Sequence, residues 1–147
     1  MATYQRPGWL TRRVANPLVA FITTRLGLTP RGSRVLAVRG RRSGQWRTTP
    51  VNPLDLDDQR YLVSPRGETE WVRNLRAAGS GELRRRSGVE RFRATELTDA
   101  DKLSILRAYL DRWRPETGAF FHISANPSDA DLARIAPNHP VFEIQPD

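Results

Sequence analysis

The chain has 147 residues, 38% of them hydrophobic and 27% charged, and this length and composition indicate one globular domain rather than a disordered chain. The absence of cysteine excludes disulfides and thiolate catalysis, and two histidines are too few to make a metal site attractive, so we expect no metal. The formal net charge of +8 points to an anionic partner: nucleic acid, acidic lipid or a phosphorylated cofactor.

Residues 1–30 are predicted to form an N-terminal amphipathic helical segment. Apolar residues between Trp9 and Leu28 recur near helical spacing with arginines between them, and Pro17 kinks or restarts the helix. Such a helix packs on its own domain or lies on an anionic membrane surface, and both alternatives stay open. There is no apolar run of membrane-spanning length and no signal-peptide pattern, so we expect a cytoplasmic protein, with membrane association through this segment as the alternative.

The next stretch predicts a β-hairpin with a basic tip. Val35–Val38 is apolar, Arg47–Val51 is β-prone, and a short loop with two glycines, a serine and three arginines joins them. Glycines let backbone N–H groups converge on an anion, and guanidinium groups match phosphate or carboxylate. The hairpin tip is therefore a candidate anion site, with a solvated arginine-rich turn as the alternative.

The middle of the chain alternates strands and one helix. Thr69 is a suitable N-cap for a helix over Glu70–Ala78, in which Trp71, Val72 and Leu75 share one side. The other predictions for this part are a loop over Asn52–Asp58, a strand over Arg60–Ser64 broken by Pro65-Arg66-Gly67, and two strands, Glu82–Arg86 and Val89–Leu97, around a Ser87-Gly88 turn.

The C-terminal part predicts two helices and a closing strand. Thr98 is the expected N-cap of a long helix that Pro115 ends, and a second short helix starts at Ser128 and runs through Ile135. The strand His139–Ile144 should place Val141 on one face and Phe142 and Ile144 on the other. With about six strands and four helices, the chain predicts a single α+β domain on an antiparallel sheet rolled into a small barrel over residues 31–147.

Two motifs in this order resemble a known family. Gly40-Arg41-Arg42-Ser43-Gly44-x-x-Arg47-x-x-Pro50-Val51, followed after a strand by Trp71-x-x-Asn74-Leu75, is similar to the deazaflavin-dependent nitroreductases and F420H2-dependent quinone reductases. The resemblance implies a split β-barrel like that of FMN-binding oxidases. It also implies coenzyme F420, a deazaflavin with a phospholactyl-oligoglutamate tail, as the cofactor, with FMN less favoured.

The resemblance also implies roles for individual residues. Arg41, Arg42 and Ser43 would bind the phosphate and acidic tail, with Gly44 allowing close approach and Arg47 adding charge. Thr49 and Pro50 would line the wall beside the deazaflavin ring. The remaining implied cofactor contacts are Pro65, Arg66 and Gly67 at the ring edge and Trp71 and Asn74 on the helix that closes over the cofactor.

The expected activity is hydride transfer from reduced F420 to a quinone, nitro or activated-alkene acceptor. Tyr61, His122 or water are the candidate proton donors. The region where family nitroreductases carry tyrosines has Phe120, Phe121 and His122, and Pro65 replaces a small hydroxyl residue, so quinones are at least as well suited as nitroaromatics. The alternatives are a deazaflavin carrier, an FMN- or haem-binding barrel without turnover, and a basic nucleic-acid-binding module; nucleic acid is not expected, and the chain would be a monomer or homodimer.

Overall fold

The computed structural model describes residues 33–147, with the side chains of residues 114–118 excepted, so the predicted N-terminal helical segment lies outside the described residues. The strands are β1 (Arg34–Arg39), β2 (Trp46–Val51), β3 (Leu54–Leu56), β4 (Gln59–Val63), β5 (Ser80–Arg85), β6 (Gly88–Glu96) and β7 (Val141–Pro146). The α-helices are α1 (Glu70–Ala78), α2 (Leu103–Thr117) and α3 (Asp129–Ile135), and short 3-10 turns cover Asp99–Lys102, Gly118–Phe120 and Ala136–Asn138.

The strands form one seven-stranded antiparallel sheet in the order β2-β1-β5-β6-β7-β4-β3. The sheet curls into a half-barrel with flanking helices, which confirms the predicted α+β split barrel. Two of the predicted hairpins, β1–β2 and β5–β6, are present with continuous registers.

Each face of the sheet has its own apolar core. Inside the curl, residues of β1, β4, β5, β6 and β7 pack against Val72 and Leu75 of α1. On the other face, residues of β3, β4 and β7 pack against α2 and α3. Val141 belongs to the second cluster and Phe142 and Ile144 to the first, as the alternation predicted. Each fully buried aliphatic or aromatic side chain contributes roughly 1.5–3 kcal/mol of transfer free energy.

Helix α1 has the ends that the sequence predicted. The Thr69 hydroxyl oxygen accepts a hydrogen bond from the Val72 N–H at 3.4 Å, and the acidic Glu70 occupies the first turn. Gly79 adopts a left-handed conformation with φ 74° and donates its N–H to the Leu75 carbonyl, which ends the helix. These caps set the two ends of α1, whose residues Val72 and Leu75 pack in the same cluster as Leu36 and Val38 of β1.

The predicted loop over Asn52–Asp58 is wrong, because it contains strand β3. Leu54 and Leu56 flank Asp55 in an alternating pattern, and β3 pairs with β4. Asp57 and Asp58 both have positive φ, as a tight two-residue hairpin turn requires. Aspartate tolerates this conformation, and the extra strand raises the predicted six strands to seven.

Two predicted boundaries of the long helix are also wrong. Thr98 makes no side-chain cap; its hydroxyl donates instead to the Asp101 carboxylate at 3.1 Å, and a 3-10 turn precedes α2. The helix continues to Thr117, beyond Pro115. Proline lacks the N–H that would bond to the carbonyl four residues back and so disfavours helical continuation, and the helix runs only two residues beyond Pro115. None of the described helices has the length and apolar character needed to cross a membrane.

Candidate functional site

The tip of the β1–β2 hairpin is a compact turn held by its own backbone. The Gly40 N–H donates to the Gln45 carbonyl at 2.7 Å, and the Gly44 N–H donates to the Gly40 carbonyl at 2.9 Å. The Gln45 N–H donates to the Ser43 hydroxyl oxygen at 3.2 Å. Gly44 has φ 72°, a conformation that glycine adopts without the steric cost of a side chain. The turn therefore has one defined shape before any ligand arrives.

Helix α1 holds this turn through two polar side chains. The Oδ1 atom of Asn74, a buried residue, accepts hydrogen bonds from the Arg41 backbone N–H at 3.1 Å and from the Arg41 guanidinium at 2.8 Å. Glu70 accepts from the same guanidinium at 2.9 Å. This hydrogen bond from Arg41 lowers the pKa of Glu70, assisted by the charges of Arg73 and Arg42. Asn74 and Glu70 thus fix the hairpin to the helix.

The arginines of the hairpin consequently differ in what they can do. Arg41 is committed to Asn74 and Glu70. Within residues 33–147, no group accepts a hydrogen bond from the guanidinium groups of Arg42 and Arg47 or from the backbone N–H groups of Arg42 and Ser43. Two cations and two amides at one exposed turn fit a phosphate or carboxylate tail, so this donor set is chemically suited to the anionic part of F420.

The predicted ring-edge loop, Pro65-Arg66-Gly67, is held by buried polar contacts. Ser64 is fully buried, and its hydroxyl donates to the Gly67 carbonyl at 2.6 Å. Its backbone N–H donates to the Pro140 carbonyl at 2.9 Å. Gly67 has φ 86°, which allows the chain to turn into Thr69 and α1. The Arg66 guanidinium lies 5.1 Å from the centre of the Phe120 ring, in a cation–π contact.

His139 lies beneath this loop. It is 2% exposed, its Nδ1 is 3.3 Å from the Ser64 carbonyl oxygen, and its ring stacks on Phe121 at 4.2 Å between centroids. Burial is the main cause that lowers the pKa of His139 to about 4, and repulsion from Lys102 and His122 acts in the same direction. Hydrogen bonds from the ring to the Ser64 and Pro65 carbonyls act in the opposite direction. The imidazole is therefore neutral at pH 7 and donates from Nδ1 to the loop.

The other predicted cofactor residues occupy the hairpin strand and helix α1. Thr49 pairs with Leu36 and Pro50 with Val35 across β1–β2, and β2 is an edge strand, where proline is tolerated. Trp71 is half-buried and packs against the core inside the curl, with its ring 6.0 Å from that of Phe142. Trp71 is thus a core residue on one side and can contact a ligand on the other.

The two candidate proton donors lie in different surroundings. Tyr61 is on the face of β4 that packs against α2, opposite to Leu62, which points into the curl. Burial raises the pKa of Tyr61, and the carboxylates of Glu143 and Asp57 raise it further, so the phenol stays protonated. His122 is exposed and follows the 3-10 turn Gly118–Phe120, with φ 51°. Within the described chain, no three acidic or histidine side chains group as metal ligands.

The sequence motifs did not identify Glu70, Ser64 or His139 as parts of the site. Glu70 carried one usable signal, an acidic side chain in the first turn of a capped helix. Ser64 and His139 are 75 residues apart, and nothing local indicates that they meet.

The protein has the split β-barrel fold of the solved structures that it resembles. It belongs to the F420H2-dependent quinone reductase family, whose model matches residues 12–119. Comparison with curated proteins finds no match.

Three solved structures show the same fold at low identity. An F420-H2 dependent reductase, FDR-A, has a TM-score of 0.55 and 17% identity, covering 80% of this chain and 97% of that chain. A structure named as a domain-swapped dimer has a TM-score of 0.56 and 16% identity, covering 93% and 97%. A protein assigned to 5-nitroimidazole antibiotic resistance in Bacteroides thetaiotaomicron has a TM-score of 0.54 and 13% identity, covering 79% and 73%.

Proposed function

We propose that this protein transfers a hydride from reduced coenzyme F420 to a quinone, nitro or activated-alkene acceptor. Family membership supports the use of the deazaflavin. The observation that carries the proposal to this chain is the hairpin tip, where Arg42, Arg47 and two backbone amides have no described hydrogen-bond acceptor while Arg41 is held by α1. This arrangement offers a rigid, cationic receptor to the phosphorylated acidic tail.

The reduced deazaflavin supplies the hydride when bound, so the protein has to bind, orient and exclude water. Arg42, Ser43, Gly44 and Arg47 hold the tail, and Arg41 positions the turn that carries them. The other proposed contacts to the cofactor are Thr49, Pro50, Pro65, Arg66, Gly67, Trp71 and Asn74, with Asn74 acting mainly through Arg41.

The acceptor gains a proton as well as the hydride. His122 is a candidate because it is exposed. Tyr61, the other candidate, is less favoured, because it lies on the face of β4 that packs against α2 and its raised pKa makes the phenol a weaker acid. Phe121, by contrast, is buried against His139, so in the segment Phe120–His122 only Phe120 and His122 have surface to offer a ligand. This favours a planar quinone over a substrate that needs several hydroxyl contacts.

The first test is a titration of the purified protein with coenzyme F420, followed by tryptophan fluorescence, with FMN as the control ligand. We expect saturable quenching by F420 and a weaker response to FMN. The variants Arg42→Ala and Arg47→Ala should each weaken F420 affinity by roughly tenfold or more, because a charge-assisted hydrogen bond contributes about 1.5–3 kcal/mol. Arg134→Ala, an exposed arginine on α3 whose charge partner is Asp131, is the matched control.

Each outcome separates the proposal from its alternatives. Unchanged F420 affinity in the Arg42→Ala and Arg47→Ala variants would contradict the assignment of the tail site. F420 binding without turnover of any quinone or nitro acceptor would favour a deazaflavin carrier, and stronger binding of FMN or haem would favour a different cofactor. Oligonucleotide binding with a steep salt dependence would favour the nucleic-acid alternative suggested by Arg84-Arg85-Arg86.

We also propose that the active form is a cytoplasmic homodimer rather than a monomer. A structural neighbour named as a domain-swapped dimer supports this choice. Light scattering during size-exclusion chromatography tests it, and a monomer mass at the concentration of the activity assay would contradict it.

A further inference from the structure

The backbone pairing of β4 with β7 lacks one donor at the point where the ring-edge loop begins. The register of these strands ends with Val63 opposite Val141, so Ser64 lies opposite Pro140 one step further along. The Ser64 N–H donates to the Pro140 carbonyl at 2.9 Å. Antiparallel residues that pair in this way exchange two hydrogen bonds, but proline has no N–H to donate in return. The Ser64 carbonyl therefore lacks the donor that the strand pairing would otherwise supply.

The side chain of His139 takes the place of that missing donor. Its Nδ1 lies 3.3 Å from the Ser64 carbonyl oxygen, and because a carbonyl can only accept, Nδ1 carries a proton and donates to this oxygen. Stacking on Phe121, with 4.2 Å between the ring centroids, holds the imidazole in this orientation. Ser64 and His139 are both buried, so bulk water does not reach the carbonyl and the imidazole replaces the absent N–H.

The loop has other hydrogen bonds, but they join its own residues to one another. The Gly67 N–H donates to the Ser64 carbonyl at 3.4 Å, and the Ser64 hydroxyl donates to the Gly67 carbonyl at 2.6 Å. The Thr69 N–H donates to the same Gly67 carbonyl at 2.9 Å. These bonds give the loop its shape, whereas the bonds to Pro140 and His139 attach it to the segment that leads into β7.

We propose that His139 is a positioning residue, which supplies the donor missing at Pro140 and thereby fixes the ring-edge loop where it meets the deazaflavin ring. This inference rests on the proposed function, because it assigns the loop to the ring of F420. A wall that orients a reacting ring has to be fixed to within about 1 Å, since the rate depends steeply on the geometry. Asn74 holds the hairpin tip separately, so loss of the His139 donor should disturb the ring and leave the tail site in place.

The first experiment uses the cofactor-free protein and the variant His139→Leu, which removes the donor and leaves an apolar side chain in its place. We expect the backbone amide resonances of Gly67 and Thr69 to shift, because the loop loses one of its attachments. The resonances of Arg41 and Gly44, in the separately held hairpin tip, should stay where they are. Unchanged Gly67 and Thr69 resonances would overturn the proposal.

A rescue variant separates the lost donor from lost packing. Pro140→Ala restores a backbone N–H opposite Ser64, so in the double variant His139→Leu/Pro140→Ala this N–H can donate to the Ser64 carbonyl. We expect the Gly67 and Thr69 resonances to return to the parent positions in the double variant. His139→Asn, whose amide can donate from the place of Nδ1, should behave like the parent and serves if the leucine variant folds poorly. A loop that stays displaced in both variants would show that packing, not the donor, positions it.

The second experiment records the absorption band of F420 bound at saturation, which reports the surroundings of the ring. The band should move in His139→Leu and return in His139→Leu/Pro140→Ala, and F420 affinity in His139→Leu should be weaker by roughly threefold to tenfold. Arg42→Ala should weaken affinity without moving the band, because this side chain is assigned to the tail. Ile135→Val removes one methyl group from the cluster that contains Phe121 and is the packing control. Equal band shifts in Ile135→Val and His139→Leu would contradict a specific role for the donor.

The two experiments distinguish a failure of this inference from a failure of the proposed function. If the parent protein does not bind F420, the proposed function fails together with the assignment of the loop to the ring, and the amide resonances still show whether His139 holds the loop. If the parent binds F420 and His139→Leu binds it with the same band and affinity, the cofactor assignment stands and His139 does not position the ring.

Discussion

The hairpin tip and the loop from Ser64 to Gly67 belong to the same candidate site, but different interactions hold them. The hairpin is held to α1 through Arg41, by an ion pair with Glu70 and by hydrogen bonds to Asn74. The Glu70 side chain is 75% exposed, whereas Asn74 is buried. The loop is fixed by Ser64 and His139, both fully enclosed and both neutral. One segment therefore depends on charge and the other on burial.

This difference matches what each segment is proposed to contact. An anionic tail is recognised by cations that must stay exposed to reach it, so Arg41 is neutralised while Arg42 and Arg47 keep their charge directed outward. A planar ring requires a wall of fixed shape, which buried hydrogen bonds provide. Acid should therefore disturb the loop, and salt or charge substitution should disturb the hairpin.

The largest expected effect is a loss of stability in acid through His139. The unfolded histidine binds a proton below pH 6.5, whereas the folded one does so only below about 4, so between these values the unfolded state holds more protons. The free energy of unfolding should therefore fall as pH drops from 6.5 to 4, by roughly 3 kcal/mol, and this contribution should level off below pH 4. Urea unfolding at several pH values measures the slope.

The variant His139→Gln isolates this contribution from that of the carboxylates. It should be less stable than the parent at pH 7, because the stacking on Phe121 is lost, yet show a shallower decline between pH 6.5 and 4. His122→Gln removes the exposed histidine and is the matched control. If the parent and His139→Gln decline with the same slope, His139 is not the acid-sensitive group of this loop.

Local signals predicted much of this fold, because hairpins and capped helices are encoded by neighbouring residues. The β1–β2 hairpin and α1, with its Thr69 cap, follow from such signals. Strand β3 was missed because it is only three residues long and contains an aspartate, and because its turn relies on two aspartates rather than glycine.

The partners within the site could not be predicted, because they join distant parts of the chain. Arg41 and Asn74 are 33 residues apart, and the motif contained both without showing that they bind each other. From the sequence, Arg41 and Arg42 were predicted to have the same role. The contacts distinguish them, because Arg41 is held against α1 by Glu70 and Asn74, whereas Arg42 can reach a ligand.

The next effect in size is expected from Asn74→Ala, which tests how the hairpin is held. The change removes the acceptor of the Arg41 N–H and guanidinium, so stability should fall by roughly 1–3 kcal/mol and F420 affinity should fall with it. Asn138→Ala, at an exposed asparagine in a 3-10 turn, is the control. Denaturation and cofactor titration measure the two effects. Loss of stability with unchanged affinity would mean that the hairpin keeps its shape without Asn74.

The smallest effect should come from Glu70→Gln, and salt should reveal its origin. An ion pair as exposed as Arg41–Glu70 contributes about 0–1 kcal/mol, and the hydrogen bond to Arg41 can partly survive in glutamine. The parent and the variant should therefore differ by less than about 1 kcal/mol in urea unfolding at low salt and converge near 1 M salt, where the Debye length falls to roughly 3 Å. Asn74→Ala should keep its deficit at both salt concentrations, because a buried hydrogen bond is little screened. A Glu70→Gln deficit that persists in high salt would show that burial, not charge, holds the hairpin, and the contrast between the two segments of the site would fail.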